Sequence, residues 1–164
     1  MKWQSLLPRP CYQRPFVCDG FPELQDVIVI GENPATETQT DWWTYWSDQT
    51  GFDRKRFMDD YRRIKPVRGT RARLERMRTI YGLRVLETNV ASNERLEGAG
   101  RDAIDNTRLL ACLLEERPVI VQGEKARDRL SELGLLPSHA ILTQHFSRMG
   151  YDELDQLCER VTHE

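Results

Sequence analysis

Residues 26–45 read DVIVIGENPATETQTDWWTY, and the first five of them decide the architecture. Val27, Ile28, Val29 and Ile30 form an unbroken apolar run, the pattern of a strand covered on both faces, as parallel strands are. Gly31 ends the run, Pro34 fixes the turn, and the residue before a proline, Asn33, is held extended. In open α/β sheets, ligands bind beyond the carboxyl ends of the strands, so Gly31, Glu32, Asn33 and Pro34 are the first candidates for a site.

Working outward, three further runs have the same character: Leu83 to Val90, Pro118 to Gln122 and Ala140 to Thr143. Amphipathic segments lie between them. Phe57, Met58, Tyr61 and Ile64 share one face, Leu74, Met77 and Tyr81 another, and Ile104, Thr107, Ala111 and Leu114 a third. Ala126, Leu130 and Leu133 follow, and Leu154, Leu157, Cys158 and Val161 form a stripe at i, i+3, i+4 and i+7. Strands alternating with helices predict parallel pairing through right-handed crossovers: a single α/β domain, a three-layer α/β/α sandwich with a central four-stranded parallel sheet. Residues 1–24, with Pro8, Pro10, Pro15 and Pro22, read as an extended arm wrapped on that domain.

A chain of 164 residues with 39% hydrophobic and 30% charged residues reads as a soluble globular domain with a true core. No apolar stretch approaches the roughly 20 residues that span a bilayer, and no signal-peptide core is seen, so a cytoplasmic protein without membrane association is expected. Formal net charge is -2, but residues 54–78 hold eleven Lys or Arg against three acids, a net of +8. Such a face either holds a phosphate backbone or is a pair of solvated helices. Cys11, Cys18, Cys112 and Cys158 lack the close pairing of a metal knuckle and read as thiols; no metal and no cofactor are expected.

Parallel strands deliver their polar follow-on residues to one edge. The second run ends in Thr88 and Asn89, and a buried Asn can turn an acceptor and two donors to a nucleobase edge or merely tie its own loop. The third ends Val121, Gln122, Gly123, a tight turn with little chemistry of its own. The fourth is followed by His145, Phe146, Ser147, Arg148 and Met149, which bring an imidazole and a hydroxyl to the same edge. Trp42, Trp43, Tyr45 and Trp46 supply rings that serve a ligand or the core.

In order, GENP at 31–34, TNV at 88–90, VIVQG at 119–123 and HFS at 145–147 make the chain resemble the uracil-DNA glycosylase superfamily over residues 26–161. The resemblance implies that fold and the hydrolysis of the N-glycosidic bond of a deaminated base such as uracil in DNA. It implies catalytic roles for Asn33, which would position water, and for His145, which would hold the developing anion. Gly31, Glu32, Pro34, Asn89 and Ser147 would bind substrate, and Trp46 or Trp43 would stack on the flipped base. Phe146 stands where the family has Pro; it, Arg148 or Met149 would wedge into the DNA. Ala35 stands where relatives carry Gly or Tyr. The cluster-binding cysteine pattern of some members is not reproduced. Two other readings stay open: an inactive module of this fold that binds nucleic acid, and a protein that binds a free nucleobase or nucleotide. The oligomeric state is left open.

Overall fold

The computed structural model of the chain describes residues 2–34, 40–92, 104–114 and 117–163; Ala35 lies outside them. Elements in chain order are β1 (Phe16–Val17), β2 (Val27–Gly31), β3 (Trp46–Ser47), β4 (Gly51–Phe52), α1 (Arg54–Ile64), α2 (Thr70–Thr79) and β5 (Val85–Asn89), followed by α3 (Asn106–Leu113), β6 (Val119–Gln122), α4 (Glu124–Glu132), β7 (Ile141–Thr143) and α5 (Tyr151–His163).

All five residues of β2 are buried, which is what the Val-Ile run requires, because β2 is the middle strand of a five-stranded sheet of order β1-β5-β2-β6-β7. Strands β5, β2, β6 and β7 pair in parallel. Side chains alternate across the sheet. Ile28, Ile30, Leu86 and Val121 enter one apolar cluster with Leu109, Leu110 and Leu113 of α3 and Leu130 of α4. Val27, Val29, Val85 and Ile120 enter another with Leu74 and Met77 of α2 and with Leu154, Cys158 and Val161 of α5. Each of these large aliphatic side chains contributes roughly 1.5–3 kcal/mol on burial.

The sheet has five strands, not the expected four. The extra strand comes from the arm: β1 pairs antiparallel with β5, Phe16 opposite Thr88 and Val17 opposite Glu87. An unpaired β5 edge would leave a row of N–H and C=O groups without partners, and the arm supplies them. Nor is the arm wholly extended, since Lys2–Leu6 form a 3-10 helix whose Trp3 packs edge-on against Phe16 at 4.9 Å between centroids.

Two helical faces also differ from the sequence expectation. In α3 the inward residues are Leu109, Leu110 and Leu113, with Thr107 and Ala111 exposed. Asp105 caps the helix by accepting from Arg108 N–H, so Ile104 lies before the first turn and does not set the phase. Ile64, the last residue of α1, is 58% exposed. The stripe of α5 is buried as its spacing predicts.

Candidate active site at the carboxyl edge of the sheet

The parallel register aligns three strand ends. Gly31 pairs with Asn89, and Gln122 follows Val121, the partner of Ile30. Glycine is needed at 31 for a close approach: a Cβ built there would lie 2.7 Å from Asn89 Oδ1 and 3.4 Å from Gln122 Nε2. Two side-chain amides thus converge over a notch in the backbone. Val90 N–H donates to Gly31 O and Ala91 N–H to Glu32 O, each at 2.9 Å, so the loops beyond β2 and β5 are tied together above it.

A cleft of about 130 Å³ opens on this notch. Its lining includes Gly31, Glu32, Asn33, Pro34, Asn89 and His145, from three chain segments far apart in sequence. Tyr61, Gln122, Arg14, Arg71 and Glu87 complete the chemically active part of the wall.

His145 is positioned by its neighbours. Its ring lies 3.7 Å from where a Cβ on Gly123 would stand, and Gly123 has φ +89°, so the turn after β6 both needs glycine and makes room for the imidazole. Ser147 N–H donates to His145 Nδ1 at 3.3 Å, and the Ser147 hydroxyl lies 2.7 Å from the same nitrogen. Nδ1 therefore acts as an acceptor, which assigns the proton to Nε2. Burial, reinforced by Arg148 and opposed by Glu32, lowers the imidazole pKa from its ordinary value and favours the neutral form.

The segment after β7 is held inward by polar bonds. Phe146 N–H donates to Gln122 Oε1 at 3.1 Å, and the Arg73 guanidinium donates to Met149 O at 3.1 and 2.8 Å. Phe146 and Met149 are 0% and 1% exposed in the α2–α5 cluster. Both side chains, candidates from the sequence for a wedge into DNA, point into the core in this structure. Arg148 is exposed, and with Ser147, Lys125 and Arg127 it lines a broad groove of about 800 Å³ that also reaches Glu32 and His145.

The tryptophans lie elsewhere. Trp42–Tyr45 form a 3-10 helix that buries Trp42 and Tyr45. Trp43 donates its indole N–H to Pro8 O at 2.7 Å and carries the Arg9 guanidinium 3.7 Å above its ring. Trp46 stacks on Trp42 with 5.8 Å between centroids and donates to Asp48. Neither lines the cleft. Tyr61, 7% exposed, is the aromatic residue that does.

Beneath the cleft runs a buried ion network. Glu87 accepts from Arg71 Nη1 at 2.6 Å and from Arg78 Nη2 at 3.1 Å. Burial alone would raise the Glu87 carboxyl; Arg71 and Arg78, with a further contribution from Arg14, hold it down at about 2. Arg54 and Arg78 pair with Glu75, and Arg76 with Asp155. Much of the positive charge of residues 54–78 is thus neutralised within the fold instead of forming a continuous outer face.

Arg14, Tyr61, Arg71, Glu87 and Gln122 were not singled out by sequence reasoning. The signals were an acid inside an apolar strand at Glu87 and an amide ending a strand at Gln122, in the same position as Asn89. No family model matches the chain, and neither a curated protein nor a solved structure does. Among the described residues, no helix is long and apolar enough to cross a membrane.

Proposed function

We propose that the chain hydrolyses the N-glycosidic bond of a deaminated base such as uracil in DNA, on a three-layer α/β/α domain of the uracil-DNA glycosylase type. The observation that carries this reading is the convergence of Gly31, Asn33, Pro34, Asn89 and His145 on one cleft of about 130 Å³. That volume is close to the ~150 Å³ cavity that accepts a benzene ring, so it suits one six-membered heterocycle.

In this reading the nucleotide is flipped out of the helix, and Asn89 hydrogen-bonds the base edge above the Gly31 notch. Tyr61 supplies the apolar wall. The Nε2–H of His145 donates to a base oxygen and stabilises the negative charge that develops as the bond breaks. Asn33 positions the attacking water. An amide is a poor general base, so stabilisation of the leaving group supplies most of the rate. Ser147, Arg148, Lys125 and Arg127 flank the path of the strand along the adjoining groove. The four cysteines are free thiols, in keeping with a reducing, cytoplasmic setting.

A second reading, binding of a free nucleobase, is favoured by the internal pairing of Arg54, Arg71, Arg76 and Arg78, which leaves less charge for a phosphate backbone. A cleavage assay on oligonucleotides carrying one uracil, single-stranded and paired, with alkali to reveal abasic sites, decides between them. Product that disappears in His145→Ala supports the glycosylase; no product from the wild type at micromolar enzyme overturns it.

A further inference from the structure

Arg14 reaches the cleft from the amino-terminal arm, outside the sheet and its helices. It is held there firmly. Its backbone N–H donates to Ser92 O at 3.1 Å, the next carbonyl, Pro15 O, accepts from Thr88 Oγ1 at 2.7 Å, and β1 begins immediately afterwards. The antiparallel register of β1 on β5 therefore delivers residue 14 to the carboxyl end of β5, beside Asn89.

The guanidinium arrives without a full set of partners. The residue as a whole is partly exposed, yet its Nη1 is buried and has no hydrogen-bond partner. Among the described residues, the buried side-chain nitrogens and oxygens in that condition belong to Trp3, Arg14, Gln25, Arg54 and Arg78, and of these only Arg14 lines the cleft. An unsatisfied buried donor is costly, more so when charged, and here it belongs to a residue of the cleft wall.

The charge balance points the same way. Glu87 serves both Arg71 and Arg78, and Glu75 serves Arg54 and Arg78, so three arginines already share two carboxylates, and Arg14 acts on Glu87 as a further cation without an ion pair to it. Burial, with repulsion from Arg71, lowers the Arg14 pKa to about 10 against the pull of Glu87. The group remains a cation at neutral pH, and in the cleft wall Arg14 and Arg71 stand with Glu32 and Glu87.

We propose that Arg14 is an anion-binding residue of the cleft, and that the ligand it takes is a pyrimidine carrying an oxyanion: a ring carboxylate or the phosphate of its own nucleotide. The proposal rests on the cleft being a base pocket and names the class of base. Asn89 and His145 read the ring, and Arg14 reads the charge at its margin. Arginine suits this because its fork matches carboxylate and phosphate oxygens two at a time.

The test is calorimetric titration of the full chain with uracil, 5-carboxyuracil and inorganic phosphate at fixed ionic strength. The expected result is that 5-carboxyuracil binds at least tenfold more tightly than uracil, that Arg14→Gln removes this gain, and that Lys55→Gln, an exposed charge change on α1, keeps it. Phosphate binding that is lost in Arg14→Gln, without a gain for 5-carboxyuracil, keeps the anion site and assigns it to the nucleotide phosphate. Equal affinity of the wild type for uracil and 5-carboxyuracil, with no phosphate binding, overturns the proposal, and that result needs no variant to fold. Cleavage of uracil-containing DNA with no anion preference would remove Arg14 from the reading and leave the glycosylase standing; anion binding at Arg14 with no cleavage would do the reverse.

Discussion

The side chain of Asn89 leans over Gly31 so closely that a Cβ at residue 31 would stand 2.7 Å from its amide oxygen. The two residues are register partners on adjacent parallel strands, and the missing side chain of one makes space for the functional group of the other. Gly31→Ala is therefore expected to displace Asn89 while sparing the fold, because the atom it meets first is the end of a side chain rather than backbone. Ligand affinity or cleavage should fall at least tenfold, about 1.4 kcal/mol, with a thermal midpoint lowered by no more than about 4 °C. Parallel titration and melting measure both; a large loss of stability with ligand affinity per folded molecule intact would sink the account.

His145 is expected to carry the pH dependence of the proposed reaction. Its pKa lies below the ordinary imidazole value because of burial first and Arg148 second. The unfolded chain takes up the proton near pH 6.5 and the native chain only at lower pH, so the stability linked to this group is complete above 6.5 and is lost as the pH falls through the lowered value. Protonation at Nδ1 would also break the bond from Ser147 N–H. Single-turnover rates should be level above pH 6.5 and decline below it with an inflection under 6.5. An inflection above that point would mean that the imidazole is stabilised as a cation, contrary to its surroundings.

Glu87 is expected to be the most sensitive single position in the ion network. Replacing it with Gln removes the carboxylate shared by Arg71 and Arg78 and leaves two buried guanidinium groups uncompensated, which costs about 3–5 kcal/mol. The same carboxyl, held down at about 2 against an ordinary 4.5, contributes about 3 kcal/mol that is present above pH 4.5 and lost as the pH falls toward 2. Urea unfolding at a series of pH values should show that acid loss in the wild type and a flatter profile in Glu87→Gln. Matching slopes in the two proteins would exclude Glu87 as its source.

Features legible in the sequence were those fixed by local pattern. The Val27–Ile30 run, the α5 stripe and the positions of Asn33, Asn89 and His145 at strand ends all follow from periodicity and from what a parallel sheet does with its carboxyl edge. Features that depend on tertiary choice were not legible. Two residues among prolines, Phe16 and Val17, become a strand only because the edge of β5 is vacant. The ring facing the cleft is Tyr61 and not Trp43 or Trp46, because residues 42–45 wind as a 3-10 helix whose three-residue period directs Trp42 and Tyr45 inward and leaves Trp43 and Trp46 on its flank. Charge counting over residues 54–78 could not foresee that Arg71, Arg76 and Arg78 meet acids from other elements.

Under the glycosylase proposal, the segment after β7 would separate a packing role from a DNA-contact role at two positions only two residues apart. Phe146 is fully buried and its backbone N–H is bonded to Gln122, so Phe146→Ala should leave a core cavity and cost about 3–5 kcal/mol. Its effect on DNA affinity per folded molecule should be small. Arg148 is exposed beside the groove, so Arg148→Ala should leave stability within about 0.5 kcal/mol while weakening DNA binding and lowering the slope of log affinity against log salt by about 1. Chemical denaturation and binding isotherms at several salt concentrations resolve the pair. If Phe146→Ala instead reduced base extrusion without loss of stability, the phenyl ring would have to leave the core on binding, and the bond between Phe146 N–H and Gln122 Oε1 would be a latch rather than an anchor.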